Sequence, residues 1–362
     1  MTMLDPAALP EEPAPLRAER TARLSTLISR CDPWFRVLGL AWLTPLWRML
    51  AGDNPKGQLK DLWRLAIVPL LAILAFLALW AWAAPKVQTS LGAIPGPVQV
   101  WEQAGVLHAD ALAERQKEVA FYAAQAEKNA ALVAEGKADE VRERTYTGKP
   151  TYYEQIFTSI KTVFFGFLLA TLVAVPLGIV SGMSATANAA INPLVQIFKP
   201  VSPLAWLPIV TMVVSAVYVG DGGMSKSFVI SAVTVTLCSL WPTLINTALG
   251  VASIDKDLVN VGRVLKLSTW TKVTRLVLPS ALPLIFTGLR LSLGVGWMVL
   301  IAAEMLAQNP GLGKFVWDEF QNGSEQSLAR IMVAVLTIGI IGFLLDRVMF
   351  ALQQAFTFSG KR

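Results

Sequence analysis

Hydrophobic residues in this chain come in long runs rather than at the spacings of a soluble fold. The first run covers residues 65–84 and is closed by Pro85. Twenty residues at a rise of about 1.5 Å match the roughly 30 Å hydrocarbon core of a bilayer. Further runs fall at 156–183, 191–219, 228–249, 281–306 and 328–350. The third of these six carries Pro200, Pro203 and Pro208, which predicts a kink or a first part lying in the interface. The pattern predicts an all-α membrane protein with about six transmembrane helices.

The stretches between the runs are polar. Residues 1–63 begin with an Ala/Pro/Glu-rich segment read as disordered. No apolar core starts within the first thirty residues, so no cleavable signal peptide is expected. Residues 34–49 alternate aromatic and aliphatic positions around Arg36 and Arg48. Trp34, Trp42 and Trp47 fit an interfacial helix, and they fit equally a helix packed on the rest of the protein. Residues 85–155 form a large insert, and Glu102 to Arg144 reads as solvated helix from its Ala, Glu, Lys and Gln content. Glu114 with Glu118, and Glu140 with Arg144, then fall on single faces. The insert reads as a scaffold or as a docking surface for a soluble partner. Lys and Arg gather before the first run (Arg48, Lys56, Lys60, Arg64), between runs four and five (Lys256, Arg263, Lys266, Lys272, Arg275) and at the C-terminus (Arg347, Lys361, Arg362). The alternate loops at 220–227 and 308–327 hold only Lys226 and Lys314. The positive-inside rule places both termini in the cytoplasm and the insert outside. The domains expected are 1–63 with an interfacial helix, 64–84 as the first span, 85–155 as a periplasmic helical insert, and 156–355 as the transmembrane core.

Composition narrows the function. Of 362 residues, 54% are hydrophobic and 15% charged, against about 25% charged in soluble domains, which excludes a simple soluble enzyme and a disordered protein. A net charge of +6 without an aromatic-interleaved basic patch points to topology and anionic lipid, not nucleic acid. Cys31 and Cys238 suggest neither a disulfide framework nor a metal site, and His108 is the sole histidine. Gly136-Lys137-Ala138, Gly148-Lys149-Pro150 and Gly313-Lys314-Phe315 all fail the phosphate-loop pattern. With no acid/base pair placed for chemistry, catalysis is not expected of this chain, nor any bound cofactor or metal.

Charges inside apolar runs are costly and mark functional or paired positions. Lys199 lies within the third run and Arg290 within the fifth. Both suit a path for a monovalent anion. Lys199 could instead snorkel to the headgroups, and Arg290 could hold carbonyls or a carboxylate between helices. Glu304 is about 21 Å along the helix from Arg290, too far to be that carboxylate. Gly178 and Gly182 have the spacing of close helix packing; Gly288, Gly294 and Gly296 read as packing or as loosening for gating.

The loop at 251–280 is the most informative segment. It reads Asn260-Val261-Gly262-Arg263-Val264-Leu265-Lys266-Leu267-Ser268 and closes with Leu278-Pro279. A short helix bounded by Asp257 and Ser268 fits it, followed by another from Thr269. It resembles the coupling loop of inner-membrane permease subunits of binding-protein-dependent ABC importers. That loop has Glu-Ala-Ala, a Gly six residues after the Glu, and Leu-Pro closing thirteen beyond. Aligned on Pro279, Asn260 takes the Glu place, Val261 and Gly262 the two Ala places, and Lys266 the Gly place. Pro200-Val201-Ser202-Pro203-Leu204-Ala205-Trp206-Leu207-Pro208, Leu240-Trp241-Pro242-Thr243, Phe286-Thr287-Gly288-Leu289-Arg290, Ala302-Ala303-Glu304-Met305-Leu306 and Gly311-Leu312-Gly313 are similar to the nitrate, nitrite and bicarbonate branch. Sulfonate and taurine permeases share much of this pattern. The resemblance covers about 150–355. It implies a type I importer fold in the bacterial inner membrane and a homodimeric pore for nitrate or nitrite. It also implies two cytoplasmic ATPase subunits that hold ATP and Mg²⁺, a periplasmic solute-binding protein, and coupling through the loop around 257–279. A permease for sulfonate, taurine or bicarbonate is the alternative. From another class, so is an ATP-independent secondary transporter or channel.

Overall fold

The computed structural model describes residues 26–29, 32, 35, 39–51, 54–89, 92–219 and 223–358. Cys31, Trp34, Arg36, Lys361, Arg362 and the 1–25 segment lie outside the described residues. By internal contacts the chain divides into two units: residues 1–80 with 350–355, and 81–349 with 356–362.

In the first unit, α1 (Leu43–Leu50) is a short amphipathic helix that buries Thr44 and Pro45 and exposes Trp47 and Leu50. Helix α2 (Lys56–Lys86) is the first span and carries one π turn at Trp63–Ile67. Its start is set by Asn54, which is left-handed (φ 38°) and accepts the Gly57 N–H on its side chain. The apolar stretch of α2 is hydrophobic around its whole circumference, and none of it is buried. Such a helix is stable only where the surroundings are apolar on every side, as in lipid.

The second unit opens with a two-residue hairpin, β1 (Gln88–Thr89) against β2 (Gly92–Ala93), and then the 38-residue α3 (Pro97–Ala134). Val100, Gln103, Leu107 and Ala111 of α3 are buried. The helix ends where Gly136 takes φ 78°. Its N–H reaches Val133 O, and the Lys137 N–H reaches Leu132 O. Residues 141–150 then return along α3 in extended form. The Arg144 N–H donates to Gln125 at 2.9 Å, the Tyr146 N–H to Tyr122 at 3.2 Å, and the Tyr146 hydroxyl to Glu114 at 2.7 Å. Glu140 and Arg144 therefore do not share a helical face, contrary to expectation, because Gly136 stops the helix before them.

The centre of the transmembrane part is α4 (Tyr152–Met183), α7 (Lys226–Ala252) and α9 (Thr269–Ala307), with α11 (Glu325–Phe358) beside them. Small residues set how closely these helices approach. A Cβ on Gly178 would lie 2.6 Å from the Thr247 Cβ, and one on Gly182 2.6 Å from the Ala248 carbonyl oxygen. Gly166 meets the Ala232 carbonyl and Gly288 the Pro242 carbonyl in the same way. Gly294 differs, with nothing within 4 Å of a Cβ there. Val163, Val235, Trp297 and Leu300 fill the interior. Buried hydroxyls are satisfied across helices, as in Thr243 with Ser292 at 2.7 Å.

The third expected span is not one helix. It consists of α5 (Ala185–Phe198) and α6 (Pro203–Val217), bent by 103° at the four intervening residues. Two local rules cause the break. Pro203 has no N–H to continue a helix. It also forces Ser202 out of the helical region, to ψ 140°. Among the described residues five helices are thus long and apolar enough to cross a membrane, or six crossings where the bent pair counts as one span. The fifth span begins earlier than 281. Helix α9 runs unbroken from Thr269 through Leu278-Pro279, with a π turn at Val273–Val277.

Candidate functional site

The connection from α7 to α9 folds as α8 (Lys256–Val264) and a tight turn. Asp255, rather than Asp257, caps it and accepts the Asp257 N–H at 2.9 Å. Ser268 caps α9 by accepting the Thr271 N–H. The helix ends in a Schellman turn. The Leu267 N–H reaches Gly262 O at 3.1 Å, the Lys266 N–H reaches Arg263 O at 3.0 Å, and Lys266 is left-handed at φ 48°. The residue at the Gly place of the motif is therefore in the left-handed region that favours glycine, although a lysine fills it. One side of α8 is packed: a Cβ on Gly262 would stand 3.5 Å from Leu276 and 3.8 Å from Leu267. The other side is apolar and open. Val264 is 80% exposed, and Leu265, Val261 and Trp270 of α9 are exposed with it. Asp257, Asn260, Val261, Val264 and Leu265 form a shallow apolar hollow there.

A second feature is the elbow between α5 and α6. Phe198 stacks on Trp241 of α7 with ring centroids 6.1 Å apart. Trp241 is 15 residues after Lys226 and 11 before Ala252 in α7. At about 1.5 Å per residue the elbow stands about 22 Å from one end of that span and about 16 Å from the other. Lys199 follows Phe198, is exposed, and makes no ion pair among the described residues. The N-terminus of α6 opens at the same elbow, capped by Ser202 on the Leu204 N–H. A helix N-terminus carries partial positive charge, so elbow and lysine have the same sign.

Arg290 has a different setting. Its Nε and Nη2 hold both carboxylate oxygens of Asp346 on α11, at 2.5 and 2.7 Å. This bidentate pair ties α9 to α11. The carboxylate left open as one partner for Arg290 is thus found, 56 residues along the chain. Arg290 is thus paired on α11, while Lys199 sits at the elbow between α5 and α6.

Residues 174–358, just over half the chain, match the family model described as the binding-protein-dependent transport system inner membrane component. The chain belongs to this family. A nitrate import permease protein, NrtB, of Synechococcus elongatus is 38% identical over 193 residues, which is 53% of this chain and 66% of that protein. The bicarbonate transport system permease protein CmpB of the same species is 33% identical over 310 residues, 84% of this chain and 94% of that one. Among solved structures, an inward-facing MetNI methionine ABC transporter matches with TM-score 0.50 and 14% identity. That match covers 58% of this chain and all of the other. The fold is that of a type I ABC importer permease.

This permease also contains a buried carboxylate that sequence reading placed in a motif without giving it a task. Glu304, at the end of α9, is wholly buried. It accepts the Ser159 hydroxyl at 2.8 Å and the Gly313 N–H at 3.0 Å, while the Leu312 N–H donates to Ser159 Oγ at 2.8 Å. Gly311 and Gly313 are glycines because a Cβ on Gly311 would strike the Glu304 carboxylate, and one on Gly313 the Ile301 carbonyl. The knot fixes α10 (Leu312–Asn322) against α4 and α9. Asp346 and Ser159 carry no local signal for these tasks, since each acts on a partner more than fifty residues away.

Proposed function

We propose that this chain is the membrane-spanning subunit of an ATP-driven importer of a small planar oxyanion. Nitrate or nitrite is the first assignment, and bicarbonate the alternative. The names of the two Synechococcus elongatus relatives support both anions, and sulfonates or taurine are bulkier alternatives. Two copies would form the pore, with two cytoplasmic ATPase subunits, a solute-binding protein outside and both termini in the cytoplasm. The ATPases bind ATP and Mg²⁺, and this chain hydrolyses nothing. The exposed apolar face of α8, with Asn260, Val261, Val264 and Leu265, is the surface those ATPases grip. Unpartnered apolar side chains on a polar loop need a partner. Arg263, Lys266, Leu267 and Ser268 shape the turn behind it, and Leu278-Pro279 carry the motion into α9.

One observation carries the anion assignment: Lys199 and the α6 N-terminus share an open elbow at the middle depth of a span. Broken helices whose N-termini face a cavity are how transporters hold anions at the midplane. At that depth a lysine is too far from either headgroup layer to be explained by snorkelling alone. Arg290 enters this reading through its Asp346 pair. It brings α9 and α11 into register and could meet an anion only if the fork opens.

The test is labelled nitrate and bicarbonate uptake by the assembled complex, with vanadate-sensitive ATPase read alongside. Lys199→Gln should reduce uptake at least tenfold while partner subunits still co-purify, and Lys199→Arg should retain most of it. Unchanged uptake in Lys199→Gln removes the elbow from the path. Uptake lost in Arg290→Ala with assembly intact would add Arg290 to the path. A chain purified alone that moves anions without ATP would replace the importer with a secondary transporter or channel.

A further inference from the structure

A recess of about 360 Å³ lies between α8 and the ends of α4, α7 and α9. Its apolar floor is Val251, Ile254 and Val277, and its polar rim is Asn260, Arg263 and Lys272. No carboxylate among the described residues lines it. Neither Arg263 nor Lys272 makes an ion pair among the described residues. Lys272 is half-buried, which limits how far it can turn away into water. Two like charges on separate elements, exposed Arg263 on α8 and Lys272 on α9, thus line one concavity together with the Asn260 amide. Such an arrangement is unfavourable when empty and favourable around an anion, because each cation then gains a charge-assisted hydrogen bond and their repulsion is offset.

We propose that this recess binds a small oxyanion, and that the bound anion ties α8 to α9 and slows turnover. Its position gives the effect a route. A neighbouring recess of about 440 Å³, with Ser181, Asn188 and Asn192 in its wall, shares Gly182 and Ala252 with it. Anion released toward that end of the bundle would therefore reach the rim of α8. The effect on turnover rests on the coupling reading above; the occupancy does not. The same chemistry could be supplied by free oxyanion or by the phosphate of an anionic lipid headgroup.

The experiment uses the full complex in phosphatidylcholine nanodiscs, with sodium sulfate replacing sodium chloride at constant ionic strength. Sulfate should raise the thermal unfolding midpoint and lower vanadate-sensitive ATPase turnover, each variant being normalised to its own rate. Lys272→Gln should raise the half-effect concentration at least tenfold, and Lys272→Arg should keep it near the wild-type value. An equal half-effect concentration in Lys272→Gln overturns the proposal, as does a wild type indifferent to sulfate in both readouts and in both lipids. If nanodiscs containing phosphatidylglycerol slow the wild type without sulfate, and Lys272→Gln escapes, the occupant is the lipid phosphate. If no sample shows vanadate-sensitive turnover, the importer reading fails, while the unfolding midpoint still reports whether the recess binds sulfate.

Discussion

Replacing Lys266 by glycine should stabilise α8. Lys266 holds φ 48° at the residue that closes the Schellman turn of α8. A side chain in the left-handed region costs roughly 1–2 kcal/mol, and glycine does not pay it. Glycine has more freedom in the open state, which takes back part of that gain, leaving about 1 kcal/mol. The two hydrogen bonds of the turn, to Gly262 O and Arg263 O, report directly on its closure. About 1 kcal/mol is a factor of about five in local opening, so hydrogen exchange at the Lys266 and Leu267 amides should slow about fivefold in Lys266→Gly. Lys266→Val, β-branched in the same conformation, should speed it. Unchanged or faster exchange in Lys266→Gly would refute the geometry on which this account of the loop rests. Gly262 adds to the argument. An alanine Cβ there would make only ordinary contacts, at 3.5 and 3.8 Å, yet glycine within a helix costs about 0.5–1 kcal/mol relative to alanine. Both departures from the motif weaken α8. A helix of nine residues so weakened has little stability of its own.

The close contact between α4 and α7 predicts a contrast between glycines. Gly182→Ala would press a methyl into the Ala248 carbonyl and Val251 and should cost about 1–3 kcal/mol. Gly294→Ala meets nothing and should be neutral or slightly stabilising; thermal unfolding in mild detergent compares them. In the insert, the Tyr146 hydroxyl, then Lys117, hold the Glu114 carboxyl below its usual range, and Glu114 in turn raises the Tyr146 phenol. A depressed acid stabilises above its unfolded pKa and ceases to as pH falls through the folded one. A raised phenol stabilises below 10 and fails as pH rises through its folded value. Residues 141–150 should therefore stay on α3 from about pH 5 to about pH 10. They should become protease-sensitive on acidification below the carboxylate range, and Glu114→Gln should abolish that acid step.

The spans were legible because lipid imposes a demand that continuous apolar runs alone meet, and α2 shows it most plainly by being hydrophobic on all sides. Gly178 and Gly182 were legible too, since four-residue spacing maps onto one helix face whatever lies opposite. What stayed hidden was whatever depends on a distant partner. The Arg290–Asp346 fork and the Glu304–Ser159 bond join residues 56 and 145 positions apart. No periodicity records such pairings.

The broken span falls between these cases. Pro200 and Pro203 announce a break, and the residue-before-proline rule explains the conformation of Ser202. Neither gives the 103° bend or its depth. Depth comes from the packing of α5 on α7, with Phe198 on Trp241 and Val195 beside Leu244, which places Lys199 away from both ends of α7. The same lysine next to the same prolines would be a headgroup anchor if the elbow stood about 15 Å nearer either surface. Trp241→Ala should therefore impair uptake as Lys199→Gln does, by letting the elbow shift, although the tryptophan carries no charge to offer an anion.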